Sequence, residues 1–178
     1  SRNVGNGLTE GVNMGPAVSA SELDGNLEYL QIAKDVGAEV LWGGNRLTEG
    51  GLEHGHFMSP AVIGNVKNSM RIAQEEIFGP VLTVFKATSL DEAIKIANNV
   101  KFGLSSSIYC KELNNAFRYI DQVEAGMVHV NSPTLGGEVH LPFGGTKASG
   151  VGAREQGTEA VNFFSEIVTV YVDYSGAN

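Results

Sequence analysis

Cysteine occurs once in 178 residues, at Cys110, so the chain can close no disulfide on itself and supplies no thiolate cluster for a metal. Such sparing use fits a reducing compartment, and the protein is expected to be cytoplasmic. Long apolar runs are lacking too. None approaches the roughly 20 residues that a membrane-crossing helix needs, and the opening "SRNVGNGLTEG" has no apolar centre of the signal-peptide kind. Basic residues are few: 12 Lys and Arg stand against 20 Asp and Glu, a formal net charge of -8. That balance disfavours binding to nucleic acid or to an anionic membrane. Small-molecule chemistry and association with protein remain.

What is present is 42% hydrophobic and 18% charged, enough for one α/β-sized domain with a core. The chain opens on Ser1 rather than Met, in text typical of a protein's interior, so it reads as a piece of something longer. Its 23 glycines sit at element ends and in two loops, with no fixed-period repeat.

Helix-period apolar residues at Leu23, Leu27, Leu30, Ala33 and Val36 predict a helix opened by a Ser19/Glu22 capping box and closed near Gly37. "AEVLWGG" reads as a short strand, Gly43 to Gly55 as a polar loop, and "HFMSPAVIGNV" as extended. The second half is more regular: strand Val81 to Lys86, helix Ser89 to Asn99, strand Ser105 to Cys110, helix Lys111 to Val123, strand Met127 to Asn131. That βαβαβ order predicts one parallel sheet with functional groups beyond the carboxyl ends of its strands. The second of these helices is expected to bury Leu113, Ala116, Phe117, Ile120 and Val123. A long Gly- and Pro-rich loop follows Asn131, then a short helix from Thr158 to Phe164. The β-branched run "EIVTVYV" ends the pattern as a strand that needs another edge to pair with.

Most chemistry-bearing residues have plain readings. Cys110 ends a strand with no neighbouring His and no helix N-terminus to lower its pKa, so it is assigned a structural role. His54 and His56 sit in a solvated loop without further ligands, and no metal site is expected. His129 reads as a sheet residue and His140 as a loop residue. "GGTKASG" does not match the phosphate-binding G-x-x-x-x-G-K-[ST], and "GVGAREQG" puts Glu155 where a dinucleotide fingerprint needs its third glycine. Glu75 and Glu76, adjacent in an extended segment, should point to opposite sides. They suit one acid facing a ligand and one facing away better than a converging acid/base pair.

"EEIFGPVL", "VHVN" and "PFGGTKASGVGAREQGTEAVNFF", in that order, resemble the C-terminal part of the aldehyde dehydrogenase superfamily. The resemblance extends to "VGNGLTEGVNMGPAVSASELDGNLEYLQIAKDVGAEVLWGG" and to the last strand. It implies an α/β fold: the parallel-sheet, three-layer catalytic domain of aldehyde dehydrogenase type over residues 1–164, followed by a C-terminal oligomerisation strand, 165–174, that joins a neighbouring subunit. It implies oxidation of a small-molecule aldehyde to an acid through a cysteine thiohemiacetal, with hydride passing to NAD or NADP. The nucleophile and general base of that family lie in segments outside this text, so no catalytic residue is assigned and the chain alone is expected to be inactive.

By the same resemblance Glu76 matches the acid that holds the nicotinamide ribose hydroxyls, and Phe78 matches the aromatic beside the nicotinamide. Phe143 matches a residue lining the aldehyde entrance, and Asn131 matches the strand-end residue that orders the active-site loops. Glu75 is left solvated or structural. The chain departs from many relatives at Thr146, where an aromatic is common, and near Gly137, where bulkier residues stand. The loop "NSPTLGGEVHLPFGG" with "REQG" is similar to relatives acting on carboxylated semialdehydes, among them α-ketoglutaric semialdehyde dehydrogenases. A non-catalytic oligomerisation or binding module is the competing reading.

Overall fold

A computed structural model describes residues 2–176. The fold is α/β, in two compact units that meet in sequence at Val100 and Lys101. In the first unit α1 spans Ala20–Asp35, and the Ser19 hydroxyl accepts the Glu22 N–H at 3.1 Å to satisfy a free donor of the first turn. Leu23, Asn26, Leu30 and Ala33 form its buried face, and Gly37 leaves the helix at φ +82, a conformation in which a side chain would be strained.

β1 (Glu39–Gly43) pairs antiparallel with β2 (Ala61–Gly64), and β2 pairs parallel with β3 (Val81–Thr83). The four-residue α2 (Arg71–Gln74) and α3 (Leu90–Asn98) complete this unit. Leu23, Leu30, Ala33, Ala38, Met58, Ala61, Ile63 and Ile72 make its core, with Ile77 and Val81 packed against them. Ser89 caps α3 while the Glu92 carboxylate accepts the Thr88 N–H and hydroxyl at 2.7 and 2.6 Å.

In the second unit β4 (Phe102–Gly103) pairs antiparallel with β7 (Thr146–Lys147), β5 (Ser105–Ile108) pairs parallel with β6 (Met127–Val130), and α4 (Leu113–Gln122) connects β5 to β6. This is the right sequence length for a crossover between parallel strands. A short α5 spans Glu159–Phe163.

Several expectations change. Among the described residues the parallel pairings are β2–β3 in the first unit and β5–β6 in the second, with β1 and β4–β7 antiparallel. β3 stops at Thr83 rather than Lys86 because its partner ends first, where Asn65 turns away at φ +53 and its amide donates to the Gly37 carbonyl. α4 buries Ala116 and Tyr119, whereas Leu113, Phe117 and Ile120 are exposed. The Tyr119 hydroxyl reaches the Ser106 hydroxyl, so the helix docks on β5 through a different stripe. Segment 165–174, expected to pair with a neighbouring subunit rather than within its own chain, carries no strand pairing among the described residues, and Ile167, Val170, Tyr171 and Tyr174 are exposed. No helix among the described residues is long and apolar enough to cross a membrane.

Candidate functional site

The segment after α2 in the first unit places Glu76 and Phe78. α2 ends when Glu75 turns to extended backbone, φ -108 and ψ 151. From there alternate side chains take opposite sides, as in any extended stretch: Glu75 and Ile77 are partly buried, Glu76 and Phe78 are exposed. Ile77 packs on the core. Phe78 is 74% exposed, a large apolar side chain left in water.

The inward side is tied down. Arg71 donates to both Glu75 carboxylate oxygens, with Nε at 3.1 Å from each and Nη2 at 2.8 Å from Oε2. The Tyr29 hydroxyl of α1 donates to Oε2 at 2.9 Å, and the Arg71 guanidinium lies 5.8 Å from the centre of the Tyr29 ring, within cation–π range. Tyr29 and Arg71 each hold their proton more tightly than usual, chiefly because each donates to Glu75. Glu75 is therefore structural. Glu76 has no hydrogen-bond or ion-pair partner among the described residues, which leaves its carboxylate open to an incoming donor.

The far end of the segment is held by Asn26, also on α1. Its amide donates to the Phe78 carbonyl at 3.4 Å, and the residue is only 2% exposed. Gly79 follows because nothing larger fits: a Cβ there would lie 2.3 Å from Asn26 Cγ. The Pro80 carbonyl then accepts the Ala61 N–H at 2.8 Å and joins the segment to β2. A cleft of about 450 Å³ opens beside Phe78, lined by Pro16, Val18, Glu22, Asn26 and Gly79 among others.

In the second unit Asn131 sits at the end of β6 with φ +55, a left-handed conformation that Asn tolerates better than most residues. Its backbone N–H donates to the Ile108 carbonyl at 2.8 Å, and its Oδ1 accepts the Cys110 N–H at 2.9 Å. The side chain thus continues the β5–β6 ladder past its last strand pair. Two β5 hydroxyls hold the loop beyond: Ser107 donates to the Ser132 carbonyl at 2.5 Å and Ser105 to the Thr134 carbonyl at 3.4 Å.

Phe143 forms an antiparallel bridge with Glu155, its N–H reaching the Glu155 carbonyl at 2.6 Å. It borders a cleft of about 480 Å³ with His129, Gly137, Leu141 and Gln156. Arg154 braces the adjoining turn by donating to the Gly145 carbonyl at 2.6 Å. Thr146 has a local reason in place of an aromatic: its hydroxyl donates to the Glu124 carbonyl at 2.9 Å and sits 2.4 Å from where a Gly103 Cβ would be.

Cys110 is partly exposed with its Sγ 3.6 Å from the Glu112 carbonyl, His54 lies beside Glu53 on an exposed loop, and His129 belongs to β6 opposite Ser107. No group of three potential metal ligands occurs among the described residues. Sequence reasoning missed Asn26, Tyr29 and Arg71. Asn26 had a signal: it interrupts the apolar stripe of α1 with an amide on the face that must be buried, and a buried amide needs a partner. Arg71 had a weak one, its i,i+4 spacing to Glu75; Tyr29 had none, since its meeting with Glu75 depends on chain packing across 46 residues.

A family model described as the aldehyde dehydrogenase family matches residues 1–170. The alpha-ketoglutaric semialdehyde dehydrogenase of Bacillus subtilis (strain 168) is 45% identical over 169 residues, which cover 95% of this chain and 35% of that protein. An alpha-ketoglutarate semialdehyde dehydrogenase of Haloferax volcanii is 46% identical over 162 residues, 90% of this chain and 34% of its own. Among solved structures, the betaine aldehyde dehydrogenase of Staphylococcus aureus in complex with NAD+ superposes with a TM-score of 0.87 at 36% identity, covering 91% of this chain and 32% of that one. The chain spans about a third of the length of the curated relatives it matches.

Proposed function

The chain belongs to the aldehyde dehydrogenase family, and from that premise we propose that it forms the C-terminal catalytic-domain part of a cytoplasmic NAD(P)-dependent enzyme. The reaction is oxidation of an aldehyde to a carboxylic acid through a thiohemiacetal on a cysteine other than Cys110. The observation that carries the reading is the division of labour in "QEEIFGP". Glu75 and Ile77 anchor the segment, while Glu76 and Phe78 both face out and Phe78 borders a cleft.

That pair suits a nicotinamide nucleotide. A free carboxylate accepts hydrogen bonds from two vicinal ribose hydroxyls, and charge assistance strengthens both. An exposed phenyl ring offers a flat apolar wall to the nicotinamide. When bound, the nicotinamide supplies the hydride acceptor. Phe78 limits the ring's orientation, and Glu76 sets the depth of the ribose; such positioning removes part of the entropic barrier to transfer.

Phe143 and the loop ordered by Asn131 line the aldehyde entrance. A carboxylated semialdehyde is the preferred substrate class in this reading, supported by the names of two relatives above 40% identity. The exposed apolar, β-branched segment 165–174 pairs with a second copy, giving a homo-oligomer; an unpaired stretch of this kind is a template for pairing with another chain.

The test uses the full-length protein with α-ketoglutaric semialdehyde and NAD or NADP, followed by NAD(P)H absorbance. Glu76→Gln is expected to raise the KM for the dinucleotide about tenfold, the loss of a charge-assisted pair of hydrogen bonds, with little change in the aldehyde KM. No aldehyde-dependent signal with either dinucleotide would overturn the reading.

A further inference from the structure

We infer that Asn26 and Tyr29 of α1 are positioning residues for the dinucleotide, acting through Glu76 and Phe78 without touching the ligand; this rests on the reading of that pair proposed above. The two residues are three apart on one helix and so lie on the same face, one turn from each other. They grip the two ends of the segment that carries the outward pair. Tyr29 donates to the Glu75 carboxylate at 2.9 Å, and Asn26 donates to the Phe78 carbonyl at 3.4 Å.

The consequence is a fixed phase. An extended segment has two ways to present alternating side chains, and a slip of one residue would turn Glu75 and Ile77 outward and bury Glu76 and Phe78. With Glu75 held by Tyr29 and Arg71, Ile77 in the core and Phe78 O held by Asn26, that slip requires breaking contacts at both ends together. Asn26 is the more demanding post. It is buried, its amide fills the space that a Gly79 side chain would need, and an unpaired amide there would be costly. A buried polar side chain on the apolar face of α1 is hard to justify by packing alone. It is explained if its work is to hold the Phe78 backbone.

The experiment is a pair of double-mutant cycles in the full-length protein, with Tyr29→Phe, Asn26→Leu and Glu76→Ala, singly and as Tyr29→Phe/Glu76→Ala and Asn26→Leu/Glu76→Ala. The readouts are the dissociation constant of the dinucleotide by titration, the KM of the aldehyde, kcat, and the thermal midpoint. Tyr29→Phe is expected to weaken dinucleotide binding about threefold to tenfold, less than a whole hydrogen bond to a charged group because Arg71 still holds Glu75, with the aldehyde KM within about twofold. In the Glu76→Ala background the same substitution should have a clearly smaller further effect, because only Phe78 is left to position. Tyr29→Trp, which keeps a ring N–H donor, should restore part of the affinity if the donor is what counts.

Equal weakening of dinucleotide and aldehyde, or full additivity with Glu76→Ala, would overturn the inference and leave Tyr29 a stability residue. If Asn26→Leu does not fold, Tyr29→Phe decides alone, since removal of one partly exposed hydroxyl leaves the core intact. The underlying reading fails differently: Glu76→Ala would itself leave dinucleotide binding unchanged.

Discussion

Gly79→Ala puts one methyl group where the anchored segment has no room. The new Cβ would lie 2.3 Å from both Cγ and Oδ1 of Asn26 and 2.4 Å from Nδ2, more than 1 Å inside ordinary contact distance. Asn26 cannot retreat, because it is buried between Leu23 and Leu30 on the core face of α1. The segment must move instead. Overpacking of this kind costs about 1–3 kcal/mol. Loss of the Asn26–Phe78 hydrogen bond adds about 1 kcal/mol, so the total is about 2–4 kcal/mol. Displacement of Phe78 should also weaken dinucleotide binding by about tenfold or more, the change that about 1.4 kcal/mol produces. The assay is denaturant unfolding and dinucleotide titration of the full-length Gly79→Ala, Asn26→Ala and double variants. Asn26→Ala removes the three clashing atoms, so the double variant should be more stable than the sum of the singles predicts, with a coupling of about 1 kcal/mol or more. Strict additivity, or a Gly79→Ala variant as stable as the parent, would refute the reasoning.

Three further expectations concern other parts of the fold. Ser107→Ala removes the donor to the Ser132 carbonyl and should raise the aldehyde KM severalfold while leaving dinucleotide binding unchanged, a split that steady-state kinetics with each substrate varied would reveal; an equal effect on both would refute a loop-specific role. The Thr88 hydroxyl and N–H hold the Glu92 carboxyl below the usual value of 4.5. The α3 cap is therefore fully stabilising above that value and loosens as pH falls through and below it, and the Thr88 amide resonance in a pH titration should follow Glu92 rather than a neighbouring acid. Replacing Val170 with Lys in the exposed terminal segment should shift the protein to a smaller species on size-exclusion chromatography; an unchanged elution volume would argue that 165–174 is not the pairing edge.

Local pattern was enough for much of this protein. The period of α1, the Ser19 and Ser89 caps and the exit at Gly37 follow from short-range rules, since the interactions that define them join residues a few positions apart; the parallel β5–α4–β6 crossover follows from the strand–helix–strand order, though its ladder joins residues 22 apart. Motif order was enough for the family. The buried stripe of α4 was not legible, because Ala116 and Phe117 both fit a helix face and only the Tyr119–Ser106 contact chose between them. Nor was the short reach of β3, which depends on where β2 turns away at Asn65.

The opening of Glu76 and Phe78 to solvent shows the same boundary at the site. Alternation in "EEIF" established by itself that Glu75 and Glu76 part company. A period of two has two phases, however, and nothing within the four residues selects one. The choice came from Tyr29 and Asn26, about 50 residues earlier in the chain. Only packing of α1 against the end of α2 brings those donors within reach, and the cost of leaving a partly buried carboxylate or a buried amide unpaired then holds one phase against the other.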